Sequence, residues 1–443
     1  MLPFALLALL QVPAAPHTLQ AAVDAARPGD TIHVTPGVHR GLLVIDRPLV
    51  LTGPADAILD GERQGTVLTI RSDSVTILGI SVRGSGRALE QDMAAIKLER
   101  CHGCRISHVT ITDPLHGVYL LESHGIELAD NRITGATDLA ESSRGNGIHL
   151  FNSTGNRLLR NSISGTRDGM YFSFATHNLV EGNSVSGVRY GLHYMYSDDN
   201  RFESNSFRRN AAGAAIMFSQ RIIFRGNIFS EHVGYRAYGI LLQTASQVLA
   251  ENNRIEGNLT GLFLDGATVD TFRNNLVRGN GVGIDVLASA ENNVFAGNVI
   301  ADNRIAVRKV LGTSANAWSL DGRGNYWKDA AVFDLDRDGI GDRPYQAGDP
   351  FAGLAADKPA LDIFSGTLAA RALAWADEAF PVFDLPRVTD PHPLARPPAW
   401  LEERPTASPV AVSSTRTAAW WAIFPVVPAA LVLAARRRQQ RAA

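Results

Sequence analysis

Glycines recur every 22 residues along the middle of this chain. Gly147, Gly169, Gly191 and Gly213 form one run, and Gly239, Gly261 and Gly283 continue it after one four-residue insertion. Upstream, Ala95 precedes Gly117 by 22, and an eight-residue insertion containing "TDLAESSRGN" separates Gly117 from Gly147. Asparagines keep the same beat, at Asn161, Asn183, Asn205, Asn227, Asn253 and Asn275. Between them apolar residues alternate in runs of three to five, too short for helices. A fixed period of this length is the mark of a stacked repeat. Short strands with in-register asparagines predict an all-β chain, a right-handed parallel β-helix of the pectin-lyase kind. Each coil would carry about three strands, with identical residues about 4.8 Å apart along the axis.

The period also assigns faces. Counting from the glycine, position one (Val118, Ile148, Met170, Leu192, Ala214, Ile240, Leu262, Ile284) and position three (Leu120, Leu150, Phe172, Tyr194, Ile216, Leu242, Leu264, Val286) are apolar throughout, so both point inward. Positions two and four then point outward. Position two contains Tyr119, His149, Tyr171, His193, Leu241, Phe263 and Asp285, and position four contains Met195, Met217, Gln243 and Asp265. That outer face is too aromatic and apolar for a merely solvated sheet. His149, Tyr171, Leu241 and Phe263 are its candidate partner surface. His193 and Met195 lie about 6.6 Å apart along one strand, and Met217 stacks on Met195. Imidazole with soft thioethers is a Cu(I) donor set. The competing reading is adaptable methionine packing against a docked partner.

Two further clusters carry chemistry. In "ERCHGCRISH", Cys101, His102 and Cys104 share a turn, and His124 stacks on His102 one period later. They make a second candidate soft-metal site, against a C-x-x-C disulfide or a buried thiol pair. Asp334, Asp336, Asp338 and Asp342 form D-x-D-x-D-G-x-x-D. That spacing suits Ca²⁺, or a calcium-free turn held by aspartate caps.

Both ends depart from the repeat. Residues 1–15 read as a signal peptide, although no Lys or Arg precedes the apolar run. The β-helix is expected over 17–315, entered through an amphipathic capping helix containing Leu19, Val23 and Ala26. A C-terminal capping region over 316–380 holds the Asp-rich loop and an amphipathic helix at 366–379. A Pro-rich linker (381–417) leads to an 18-residue uncharged segment, 418–435, read as a transmembrane helix, and to a basic cytoplasmic tail, 436–443. The body would be exported and tethered to the membrane by this tail. A net charge of −2 gives no basic excess for nucleic acid.

Many parallel β-helices are polysaccharide lyases or epimerases, which work through acids in a groove. Asp265 with Asp285, and Asp198 with Asp199, are the carboxylates available for such an enzyme. A "DPHP" at Asp390 is similar to an epimerase motif but falls in the linker expected outside the coils.

Long stretches of the chain resemble the NosD family: "PGDTIHVTPGVH", "DGMYF", "RYGLHYMYSDDNRFESN", "AAIMFSQR", "GNYWKDAAVFDLDRDGIGDRPY" and "ALAWADEAFPVF". The resemblance implies a non-catalytic periplasmic β-helix protein required for maturation of nitrous oxide reductase. It implies partnership with an ABC transporter permease and its ATPase, with a copper-delivering lipoprotein, and with the reductase. It also adds weight to copper at His193, Met195 and Met217.

Overall fold

The computed structural model describes residues 9–14, 18–309, 315–347 and 387–401, with isolated positions between 364 and 376. Within them the chain winds as a parallel β-solenoid, as the period predicts. Its short strands stack coil upon coil into three parallel sheets of 13, 12 and 13 strands. The ladder glycines mark where coils approach most closely. A Cβ on Gly191 would lie 2.6 Å from the Gly213 carbonyl oxygen and 2.7 Å from the Phe207 ring. The two insertions are loops. The first holds a single 3-10 turn, Glu141–Ser143, and Val233 and Tyr235 project from the second.

Inside the coils the asparagine ladder is longer than the glycine beat suggests. It runs Asn131, Asn161, Asn183, Asn205, Asn227, Asn253, Asn275, Asn298, Asn325. At every step one side-chain oxygen accepts both the backbone N–H and the side-chain N–H of the preceding asparagine, at 2.8–3.2 Å. These turns are buried, so their donors need protein acceptors in place of water. Aromatic rings stack beside them, including Phe207 on Phe229 and the run Phe272–Phe295–Trp318.

The N-terminal helix, Thr18–Ala25, turns Leu19 and Val23 into the core. Gln20 closes the exposed edge of the strand Leu43–Ile45. Its side-chain oxygen accepts the Val44 N–H at 2.8 Å, and its Nε2 donates to the Val44 carbonyl at 3.1 Å. One amide side chain thus stands in for a missing neighbouring strand.

The ends differ from the expected boundaries. Leu9–Val12, inside the segment read as a signal peptide, forms a strand paired with Thr31–Val34. At the other end the coils continue past 315, to Tyr326–Trp327 on Val299–Ile300. The linker reading is corrected over its described part. Val388–Asp390 pairs antiparallel with Tyr345–Ala347, and Asp390 is fully buried. Proline content suggested an extended tether, but the stretch is docked, with the Asp390 carboxylate accepting from Asn325, Trp327 and His392. The helix at 366–379 falls largely outside the described residues, and 418–435 and 436–443 fall wholly outside them. Among the described residues no helix is long and apolar enough to cross a membrane.

One ladder position carries a fault that pH exposes. Asp270 is fully buried. Its Oδ1 accepts the Val248 N–H at 2.8 Å, while Oδ2 has no partner. Burial pushes its pKa up to about 7. One coil on, Asn293 occupies the same place, with its Nδ2 donating to the Ala267 carbonyl at 2.9 Å. Because the folded pKa lies above the unfolded one, the stability linked to this carboxyl is complete below about pH 4 and is lost as pH rises toward 7. Asp270→Asn supplies the missing N–H and removes the charge. Its unfolding free energy in denaturant should exceed wild type at pH 8, by up to about 4 kcal/mol, with the gain shrinking as pH falls to 5. A gain that is equal at both pH values would refute the assignment.

Candidate functional site

The outer face of the 12-stranded sheet assembles as two parallel columns. Tyr119, His149, Tyr171, His193, Ala215, Leu241 and Phe263 follow one another in register. In the second column Phe151, Ser173, Met195, Met217 and Gln243 do the same. Met170 is wholly buried, as its inward position requires. Met195 and Met217 are direct neighbours on adjacent coils, and both are half-buried. The four partner-surface candidates His149, Tyr171, Leu241 and Phe263 are half-buried along the first column.

His193 belongs to a network that the outward positions do not reveal. Its Nδ1 lies 2.9 Å from Oδ2 of Asp168, which is completely buried. Arg189 grips the same carboxylate through Nε and Nη2, at 2.8 and 2.7 Å. Burial alone would raise the Asp168 pKa, but the bonds from His193 and Arg189 outweigh it and hold the carboxyl below its ordinary value. Tyr171 and Tyr190 pack against the imidazole, with centroids at 4.8 and 5.0 Å. The Tyr171 hydroxyl reaches Sδ of Met195 at 3.9 Å. With Nδ1 engaged, Nε2 is the nitrogen left for a ligand.

Farther along the column His149 stacks on Tyr119 at 4.3 Å and approaches His116 at 5.4 Å. Burial holds both imidazoles neutral, His116 with a pKa pushed down to about 4 and His149 well below its ordinary value. Asp168 and His116 each sit one residue before a ladder glycine. Reading the repeat one position farther back would have found them.

The cysteine cluster does not assemble as four ligands. Cys101 and Cys104 point into the core, with 1% exposure each. They replace ladder residues there: the Cys101 thiol donates to the Ile70 carbonyl at 3.1 Å, and Cys104 Sγ accepts the Val75 N–H at 3.4 Å. His102 and His124 lie outside with their rings tilted to each other, 5.5 Å apart, and the His124 Nδ1 accepts the Thr154 N–H. The turn thus buries both thiols, at its first and fourth residues, and leaves the imidazoles outside. Of the four aspartates, the carboxylates of Asp334, Asp336 and Asp338 come within 4.8 Å of one another. Asp342 instead caps the Leu335 N–H at 2.6 Å.

The carboxylates considered for an enzyme are engaged. Arg308 forms a two-pronged pair with Asp285, Asp265 accepts from Ser289, and Arg221 bridges Asp198 and Asp199. Sequence reading also passed over an exposed aromatic stack. Phe174, Tyr196 and Phe218 lie on three successive coils beside the methionines, at 5.3 and 5.2 Å and 42–52% exposed.

Residues 130–331 match the family model described as "Periplasmic copper-binding protein (NosD)". The chain is 40% identical over 384 residues to the probable ABC transporter binding protein NosD of Pseudomonas aeruginosa, covering 83% of this chain and 89% of that one. The protein of the same description from Stutzerimonas stutzeri is 35% identical over 378 residues, 82% of this chain and 86% of its own. Among solved structures, a family 28 exopolygalacturonase from Yersinia enterocolitica superposes with a TM-score of 0.54 over 71% of this chain and 79% of its own. At 12% identity that likeness concerns the fold alone.

Proposed function

Because this chain belongs to the NosD family, we propose that it is a periplasmic accessory protein that binds and relays copper for the maturation of nitrous oxide reductase, in company with an ABC transporter. The observation that carries the reading is the register of Met195 on Met217 beside His193, whose Nδ1 is already committed to Asp168. Two thioethers are soft donors and an imidazole nitrogen is a common copper ligand, a set that favours Cu(I) over harder divalent ions. Copper here is cargo. It would be taken from a copper-delivering lipoprotein and handed on to the reductase.

The face around the donors suits such a transfer. His149, Tyr171, Leu241 and Phe263 give a partner an apolar surface beside the sulfurs, and half-burial leaves the donors within its reach. The transporter's ATPase would work across the membrane from this chain, which its segment 418–435 would tether. The polysaccharide-enzyme reading is the weaker one, since the carboxylates it would use, Asp198, Asp199, Asp265 and Asp285, are each held by an arginine or a serine.

The test is titration of the full-length chain with Cu(I) under reducing conditions against a chromogenic chelator, together with affinity purification from membranes. One Cu(I) per chain and recovery of an ABC permease are the expected results. Absence of stoichiometric Cu(I) binding, or release of unsaturated sugars from a uronate polymer, would overturn the reading.

A further inference from the structure

We propose that Asp168 is the positioning residue of this site, a buried carboxylate that fixes His193 so that Nε2, and not Nδ1, faces the cargo metal. The inference rests on the copper reading of His193, Met195 and Met217, and adds to it a residue that cannot itself touch the metal.

Asp168 has no exposure to water, so its charge must be balanced inside the protein. Arg189 does this with one bond to each carboxylate oxygen, and Arg167 adds an ion pair at 3.9 Å. The bond from His193 is therefore additional to what neutralising the charge requires. It sits on the oxygen that Arg189 Nη2 also holds, so the carboxylate is clamped before it meets the imidazole. Arg189 is fixed in turn, with its guanidinium 4.7 Å over the Tyr190 ring. The chain of contacts runs from Tyr190 through Arg189 and Asp168 to one nitrogen of His193, and Tyr190 returns to pack on the same imidazole.

A metal-binding histidine commonly donates its second ring N–H to such an acceptor, which sets tautomer and orientation and raises the basicity of the ligating nitrogen. Asp168 comes from the strand Asp168–Ser173 and His193 from Tyr190–Met195, one coil apart. The stacking of coils thus builds the pair, and no local sequence motif does. Losing such a partner costs about 10–100-fold in metal affinity.

Two measurements test the role. In metal-free, histidine-labelled wild type at pH 8, the long-range nitrogen–proton spectrum should show His193 with hydrogen on Nδ1 and a bare Nε2. The opposite tautomer overturns the proposal whatever copper does. In Cu(I) competition, Asp168→Asn should retain one-to-one binding but weaken it about 10–100-fold, and should have no further effect in the His193→Ala background. Unchanged affinity in Asp168→Asn, or an equal loss with and without His193, shows a merely structural residue and leaves the copper reading intact. A wild type that binds no Cu(I) removes the site itself, and with it this role.

Discussion

Exchanging both thioethers, in Met195→Leu/Met217→Leu, should abolish tight Cu(I) binding while leaving the solenoid folded. Leucine and methionine have similar volume, and such swaps cost less than about 1.5 kcal/mol even in cores. Both side chains are half-buried on the outer face, away from the inward columns that hold the coils together. What the exchange removes is the sulfur lone pairs. Two of the three proposed donors go at once, so the affinity loss should exceed the roughly 100-fold expected for a supporting residue. The double variant also separates the two readings of this face. If the methionines serve only as adaptable packing for a partner, leucines preserve the apolar surface, and both partner recovery and copper affinity should stay near wild type. If they hold copper, partner recovery survives and copper affinity falls. Competition against a chromogenic Cu(I) chelator, with thermal unfolding as the control for folding, distinguishes the outcomes. Wild-type affinity in the double variant would remove the methionines from the site.

The reach and the limit of the sequence are both visible in this face. A constant period makes position a geometric coordinate, so the pairing of Met195 with Met217 was legible although 22 residues separate them. Inward and outward columns followed from two-residue alternation, and the burial of Met170, Leu192 and Tyr194 agrees with it. The turns were not legible in the same way. A strand keeps its alternation, but a turn redirects each side chain by its own backbone angles. Cys101 and Cys104 therefore went inward while His102 between them stayed outside, and Asp168 reached across to His193 on the next coil. Asp390 was obscured by its surroundings: prolines on either side read as a tether, and its partners Asn325 and Trp327 lie 65 and 63 residues away.

Asp390→Ala should destabilise the C-terminal end of the solenoid by about 3–5 kcal/mol. The side chain is fully buried. Its Oδ2 accepts the Asn325 N–H at 2.7 Å and the Trp327 indole N–H at 2.8 Å, and its Oδ1 accepts the His392 N–H at 3.1 Å. Alanine leaves these donors without an acceptor in a site closed to water, at about 1–3 kcal/mol for each that stays buried. Asn325 is also the last asparagine of the ladder, with its own oxygen serving Asn298. Asp390 is thus the terminal acceptor of a hydrogen-bonded column that starts at Asn131. In a solenoid each coil is stabilised mainly by its neighbours, so the damage should begin at this end and fade along the axis. Hydrogen exchange should quicken first at Asn325, Trp327 and Val388–Asp390, then at Val299–Ala301, with little change near Asn161. Asp390→Asn separates charge from hydrogen bonding. It retains one acceptor oxygen but turns an amide N–H₂ toward donors, so it should fall between wild type and alanine. A uniform rise in exchange along all coils, or a change in unfolding free energy within about 0.5 kcal/mol of zero, would show that the segment around Asp390 does not cap the ladder.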